Sequence, residues 1–100
     1  MDGEGTNPEF DLRSLRYAVL AAEHGSFRQA AASLGVRSSV VSKRVRSLED
    51  ELGVPIFERH SRGLRVTWAG RRFLDRIDLV MVDLDYAAKT ALSAGRGMHG

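Results

Sequence analysis

Apolar positions recur at helical spacing in four stretches of this chain and alternate in one. Between Asp11 and Gly25, the residues Leu12, Leu15, Val19 and Leu20 form a stripe that predicts an amphipathic helix. Asp11 is its N-cap and Gly25 its stop, with Phe10 placed to staple onto Leu15. Ser26-Phe27-Arg28-Gln29 reads as a capping box, serine at the cap and glutamine three positions on, opening a second helix. That helix is short, with Phe27, Ala30, Ala31 and Leu34 on its apolar side and Gly35 at the turn that follows. A third helix runs from about Ser38 to Leu52, closed by Gly53 with Pro55 just beyond. At about 100° per residue its faces separate. Val41, Val45, Leu48 and Leu52 share one stripe, while Ser39, Ser42, Lys43 and Arg46 lie on the opposite one.

Two short helices meeting at a glycine turn, the second with a hydroxyl-and-cation face, predict a helix-turn-helix. The pattern then changes period. Residues 55–59 and 64–67 alternate as half-buried strands do, joined by His60-Ser61-Arg62-Gly63. A hairpin directly after such a helix is a wing, and it carries Arg62 at its tip with Arg59 and Arg65 on the flanking strands. Cations on a narrow ribbon suit a minor groove or a phosphate track.

The last stretch is a long helix with Thr67 as N-cap. Its residues Phe73, Ile77, Val80, Leu84, Ala87 and Ala91 recur at alternating spacings of four and three. That is an a/d seam, widened by Leu74, Met81 and Ala88, which is open to packing on its own domain or against a further domain but is expected to pair with another helix. The expected fold is therefore mainly α: a winged helix-turn-helix of three helices plus a two-stranded β wing, followed by a long linker or dimerisation helix. The expected divisions are a flexible arm at 1–9, the winged domain at 10–67 with its helix-turn-helix at about 27–46, the linker helix at 68–94 and a flexible tail at 95–100.

Charge sharpens this picture. The chain has 100 residues and a formal net charge of +2, but the charge is unevenly placed. Residues 28–72 hold ten Lys and Arg against four acids, whereas the first eleven residues carry four acids and no cation. A basic middle between acidic flanks points to a polyanion, with nucleic acid foremost. A content of 43% hydrophobic and 28% charged residues is that of a globular chain. Neither a membrane span nor a secretory signal is expected, and a cytoplasmic location is.

Candidate catalytic chemistry is thin. The chain has no cysteine, and His24, His60 and His99 are too scattered for a metal cluster. No histidine is placed to meet a serine and an orienting carboxylate, and no glycine-rich phosphate loop follows a strand. Asp75, Asp78, Asp83 and Asp85 read as a solvated helix face. No catalytic residue, metal or cofactor is expected, and the chain is not expected to be an enzyme.

The sequence resembles the N-terminal DNA-binding domain of the LysR-type transcriptional regulators of bacteria. The residues carrying the resemblance are Leu12-Arg13-Ser14-Leu15-Arg16-Tyr17, Glu23-His24-Gly25-Ser26-Phe27, Ala30-Ala31, Val40-Val41-Ser42, Leu48-Glu49 and Glu51-Leu52-Gly53-Val54. The most specific are Ile56-Phe57-Glu58-Arg59, Arg62-Gly63 and Thr67-Trp68-Ala69-Gly70, and the match runs without a gap over about residues 10–94. The resemblance implies that the third helix enters the major groove, with the base-contacting positions at Ser38, Ser39, Ser42 and Lys43 and the wing arginine at Arg62. It also implies that the long helix pairs two copies. One departure stands out. The family commonly opens its recognition helix with Ser-Gln-Pro, where this chain has Arg37-Ser38-Ser39, so the adenine-reading glutamine is missing. Arg37 stands at the usual cap serine, which leaves either a cap moved to Ser38 or a slightly later helix start as the expectation.

The reading that follows is sequence-specific binding of double-stranded DNA, on a site with two-fold symmetry, by a homodimer joined through the linker helix, with higher oligomers left open. Arg37, Ser38, Ser39, Ser42, Lys43 and Arg46 form the expected recognition surface and Arg59, Arg62 and Arg65 the wing contacts. Phe73, Ile77, Val80, Leu84, Ala87 and Ala91 are the expected dimer contacts. The effector domain of full-length family members is not encoded here, so no small-molecule effector site is expected in this chain. The competing reading is a protein-interaction module that forms heterodimers with a full-length regulator and blocks its DNA binding.

Overall fold

The computed structural model describes residues 10–96, so the expected arm at 1–9, residues 97–100 of the expected tail and His99 lie outside the described residues. The order of elements is α1 (Leu12–His24), α2 (Phe27–Leu34), α3 (Ser38–Leu52), β1 (Phe57–His60), β2 (Gly63–Val66) and α4 (Trp68–Gly95). The helix ends follow from local chemistry. Asp11 accepts a hydrogen bond from the Arg13 amide at 3.0 Å, Ser26 accepts from Gln29 at 3.1 Å, and Thr67 accepts from Gly70 at 2.9 Å. Gly25, Gly35 and Gly53 close α1, α2 and α3 in the left-handed region, where side chains are disfavoured. The fourth helix continues through Gly95, one residue beyond the expected end, with Arg96 as its cap.

The first three helices pack through small residues. Ala18, Ala21, Ala30, Val41 and Val45 are wholly buried, with Ala31 and Leu48 nearly so. This corrects the expected stripe of α1. Leu15 is buried as expected, but Leu12 is 39% exposed and Val19 and Leu20 are only half-buried. The face turned inward is Ser14, Leu15, Tyr17, Ala18 and Ala21, because close helix approach selects short side chains over large ones. Phe10 packs against the core that includes Leu15, and it gains a further neighbour on α4. Its ring meets Phe73 of α4 edge-on, with centroids 6.1 Å apart.

A tight joint connects α3, the wing and α4. One carboxylate oxygen of Glu49 accepts from the amides of Ile56 and Phe57, at 2.7 and 3.1 Å. The Thr67 amide donates to the Ile56 carbonyl at 2.9 Å, and its hydroxyl donates to the Pro55 carbonyl at 2.7 Å. Ile56 itself is wholly buried. The α4 backbone at Gly70 lies against Ile56 so closely that a Cβ there would be 2.3 Å from the Ile56 carbonyl oxygen.

The two strands pair antiparallel, Phe57 opposite Val66 and His60 opposite Gly63, with Ser61 and Arg62 at the turn. The wing is fastened to the helices. The Leu64 amide donates to the Gly25 carbonyl at 3.1 Å, and Phe27 packs edge-on against Phe57 at 5.8 Å.

The seam expected along α4 divides into two parts. Ile77 is buried at 8% exposure and Phe73 is half-buried, both packed with Leu74 and Met81 on this chain's own core. Ile77 is thus a core residue with little surface for a partner. Val80 at 49%, Leu84 at 41%, Ala87 and Ala91 are exposed. From Val82 onward every described residue of α4 is exposed, so this half of the helix projects from the body. The acidic face carries ion pairs one turn apart, Arg71 with Asp75 and Lys89 with Asp85.

Candidate nucleic-acid interface

The turn between α2 and α3 sets the start of the expected recognition helix. Gly35 is left-handed, the Val36 amide donates to the Ala31 carbonyl at 3.1 Å, and half-buried Val36 anchors the turn. Arg37 occupies the N-cap position without a side-chain cap bond and Ser38 is the first helical residue, so, against expectation, the cap does not move to Ser38 and the helix does not start later. An arginine cannot accept from the free amides of the first turn, so its side chain is exposed beside them.

Along α3, Val41, Val45 and Leu48 are buried, which turns the opposite side outward. Ser38, Ser39, Lys43 and Arg46 are exposed, and Ser42 is half-buried between them and the core. With Arg37 they form one continuous surface of hydroxyls and cations. Val40, 38% exposed, borders it beside Lys43.

The three wing arginines are not equivalent. Arg59 shares a face of the ribbon with Phe57, Leu64 and Val66, and its guanidinium lies 5.1 Å from the centre of the Phe27 ring. It is thereby held toward the start of α2. Arg65 pairs across the strands with Glu58 on the other face, where Glu58 also lies 3.5 Å from His60. Arg62 sits at the exposed tip, with no ion pair among the described residues. The alternation of the strands separates Arg59 from Arg65, and the turn leaves Arg62 free to reach outward.

Arg44 is absent from the expected surface, yet it lies beside it. Its guanidinium forms an ion pair with Asp11, the cap of α1, and sits 5.8 Å from the centre of the Tyr17 ring. The Arg13 amide first, and then Arg44, hold the Asp11 carboxyl below the usual carboxylate range. The pair borders an open groove of about 460 Å³ between α1 and α3, which Lys43, Ser14 and Ser47 also line. Sequence periodicity places Arg44 between the buried and exposed stripes of α3, and it carries no signal of a partner 33 residues away.

Among the described residues no group of three His, Asp or Glu side chains could hold a metal ion, and no helix is long and apolar enough to cross a membrane.

The pattern of the family described as "Bacterial regulatory helix-turn-helix protein, lysR family" matches residues 12–71. The HTH-type transcriptional regulator BudR of Klebsiella aerogenes is 36% identical over 90 residues, covering 90% of this chain and 63% of BudR. The DNA-binding transcriptional dual regulator OxyR of Escherichia coli K12 is 39% identical over 90 residues, covering 90% of this chain and 30% of OxyR. The chain thus spans less than two thirds of either regulator's length. Among solved structures, the BenM DNA-binding domain in complex with catB site 1 DNA aligns with a TM-score of 0.85 at 31% identity. That alignment covers 89% of this chain and 96% of the BenM domain.

Proposed function

The chain belongs to the LysR family of bacterial regulatory helix-turn-helix proteins, and from that premise we propose that it is a sequence-specific DNA-binding unit of a transcriptional regulator. In this reading α3 enters the major groove and the wing reaches the neighbouring minor groove. Ser38, Ser39, Ser42 and Lys43 face base edges, Arg46 and Arg37 meet phosphates, and Arg62 leads the wing contacts with Arg59 and Arg65 behind it. The observation that carries the reading is the exposed hydroxyl-and-cation stripe of α3 together with an exposed arginine at the wing tip that has no ion pair among the described residues. The likeness to a BenM domain solved on DNA supports it. Selecting bound sequences from a random duplex pool with the purified chain tests it, and a pool that emerges unenriched overturns it.

The wing has its own test. Arg62 is exposed at a turn, so Arg62→Ala should leave the melting temperature unchanged. Binding should weaken, and the slope of log affinity against log salt should fall by about one. Equal affinity for mutant and parent at two salt concentrations removes the wing from the interface.

We further propose that two copies pair through the exposed part of α4, giving a homodimer on a two-fold symmetric site. Val80, Leu84, Ala87 and Ala91 supply the apolar contact, with Phe73 at its edge. Leu84→Glu should therefore yield a folded monomer, because Leu84 takes no part in the core. Sedimentation equilibrium reads the result. A parent chain that is monomeric both free and on a symmetric duplex would assign this stripe to another role.

A further inference from the structure

The pair formed by Asp11 and Arg44 is unusual in its setting. Arg44 follows Lys43 on α3 and borders the same open groove, and it is only 33% exposed against 55% for Asp11. A DNA backbone that follows the edge of α3 near Lys43 passes the mouth of this groove. An arginine there would ordinarily take a phosphate, because guanidinium and phosphate match as a fork. Here the fork already holds a carboxylate, and the Tyr17 ring supports the guanidinium from one side. Asp11 is itself fixed as the cap of α1 by the Arg13 amide, so its carboxylate does not swing away from the pair at no cost. Ser14 and Ser47, which also line the groove, bring no charge of their own; Glu51 adds a second carboxylate to its lining, but the ion pair of Arg44 is with Asp11.

We propose that Asp11 is an internal counter-anion that keeps Arg44 off the DNA backbone, lowering sequence-independent affinity and so raising discrimination between sites. The inference rests on the DNA-binding reading above. Phosphate contacts add affinity for every sequence alike, whereas base contacts add it only for the right one. Withholding one cation from phosphates therefore improves the ratio between specific and non-specific binding.

The test uses the full chain and two duplexes, one selected from a random pool and one scrambled, in a salt series. Asp11→Asn keeps the α1 cap, since asparagine caps as well as aspartate, and releases Arg44. The salt slope should steepen by about 0.9, the increment of one neutralised phosphate. Between 200 and 50 mM salt that adds about a threefold further gain in affinity, and the preference for the selected duplex should shrink. Arg44→Met, which preserves the packed stem, should leave the parent slope unchanged. In the Arg44→Met background, Asp11→Asn should no longer steepen it. An unchanged slope in Asp11→Asn overturns the proposal, as does a slope reduced by Arg44→Met alone, which would mean Arg44 already meets a phosphate. Equal steepening with and without Arg44 also overturns it, assigning the effect to the charge at position 11. A parent chain that binds neither duplex overturns the DNA-binding reading itself, an outcome distinct from these three.

Discussion

Gly70→Ala should leave the chain unable to hold its native joint between α4 and the wing. A Cβ at position 70 would meet the Ile56 carbonyl oxygen at 2.3 Å and the Ile56 carbonyl carbon and Cα at 2.9 Å. All three are backbone atoms, so no side-chain rotation relieves the overlap. Nor can Ile56 retreat. Its amide is bound by Glu49, its carbonyl accepts from Thr67, and its side chain is wholly buried. Alanine is favoured over glycine inside a helix by about 1 kcal/mol, which opposes the effect but is smaller than it. We expect a loss of at least about 3 kcal/mol, the upper range for overpacking a core. For a chain of this size that lowers the melting temperature by roughly 12 °C or more. Circular dichroism on heating measures it, and an unchanged transition would mean that α4 is not seated on Ile56 as described. DNA binding should fall with stability, since the same joint carries the wing.

Lys43→Ala is expected to act in the opposite manner, on recognition without stability. Lys43 is exposed on α3, and its ammonium can donate to the paired acceptors of guanine in the major groove. Its flanking serines donate or accept with equal ease and so discriminate poorly. Removing Lys43 should relax the preference at one G·C position in each half-site, at a cost of about 1–3 kcal/mol there, or roughly 5- to 150-fold. Sequences selected by parent and mutant, compared position by position, reveal the change. Arg37→Ala, by comparison, should weaken all sequences about equally, because an arginine at the cap is placed for a phosphate. A mutant in which Arg37→Ala alters the preferred sequence while Lys43→Ala does not would mean that α3 docks in another register.

The candidate interface was largely legible in the sequence, for identifiable reasons. The stripes of α3 lie far apart around a helix, so burying Val41, Val45 and Leu48 exposes Ser39, Lys43 and Arg46 with no further information. The wing was legible because alternation marks a ribbon and a short basic turn marks its tip. The roles of its three arginines were not. Arg59 and Arg65 stand six positions apart, and only the hairpin register shows that they face opposite ways. Arg44 was missed because its partner, Asp11, is distant along the chain and adjacent only when α1 crosses α3.

Local chemistry in the sequence determined where the elements begin and end. Asp11, Ser26 and Thr67 cap helices with their own side chains, Gly25, Gly35 and Gly53 terminate them, and these are contacts over a few residues. The same periodicity determined which side of each helix is apolar. What covers each apolar side was decided by the tertiary structure. Ala18 and Ala21 of α1 turned inward ahead of Leu12 because the helices pack closely enough to favour the smaller groups. Along α4, Phe73 and Ile77 turned toward the core, while Val80, Leu84, Ala87 and Ala91 stayed outside it. A seven-residue repeat is the same whether its partner is another helix or the body of its own domain. The hydrophobic effect is non-directional, so the pattern states that a face is to be covered, and only the three-dimensional arrangement of distant segments states by what.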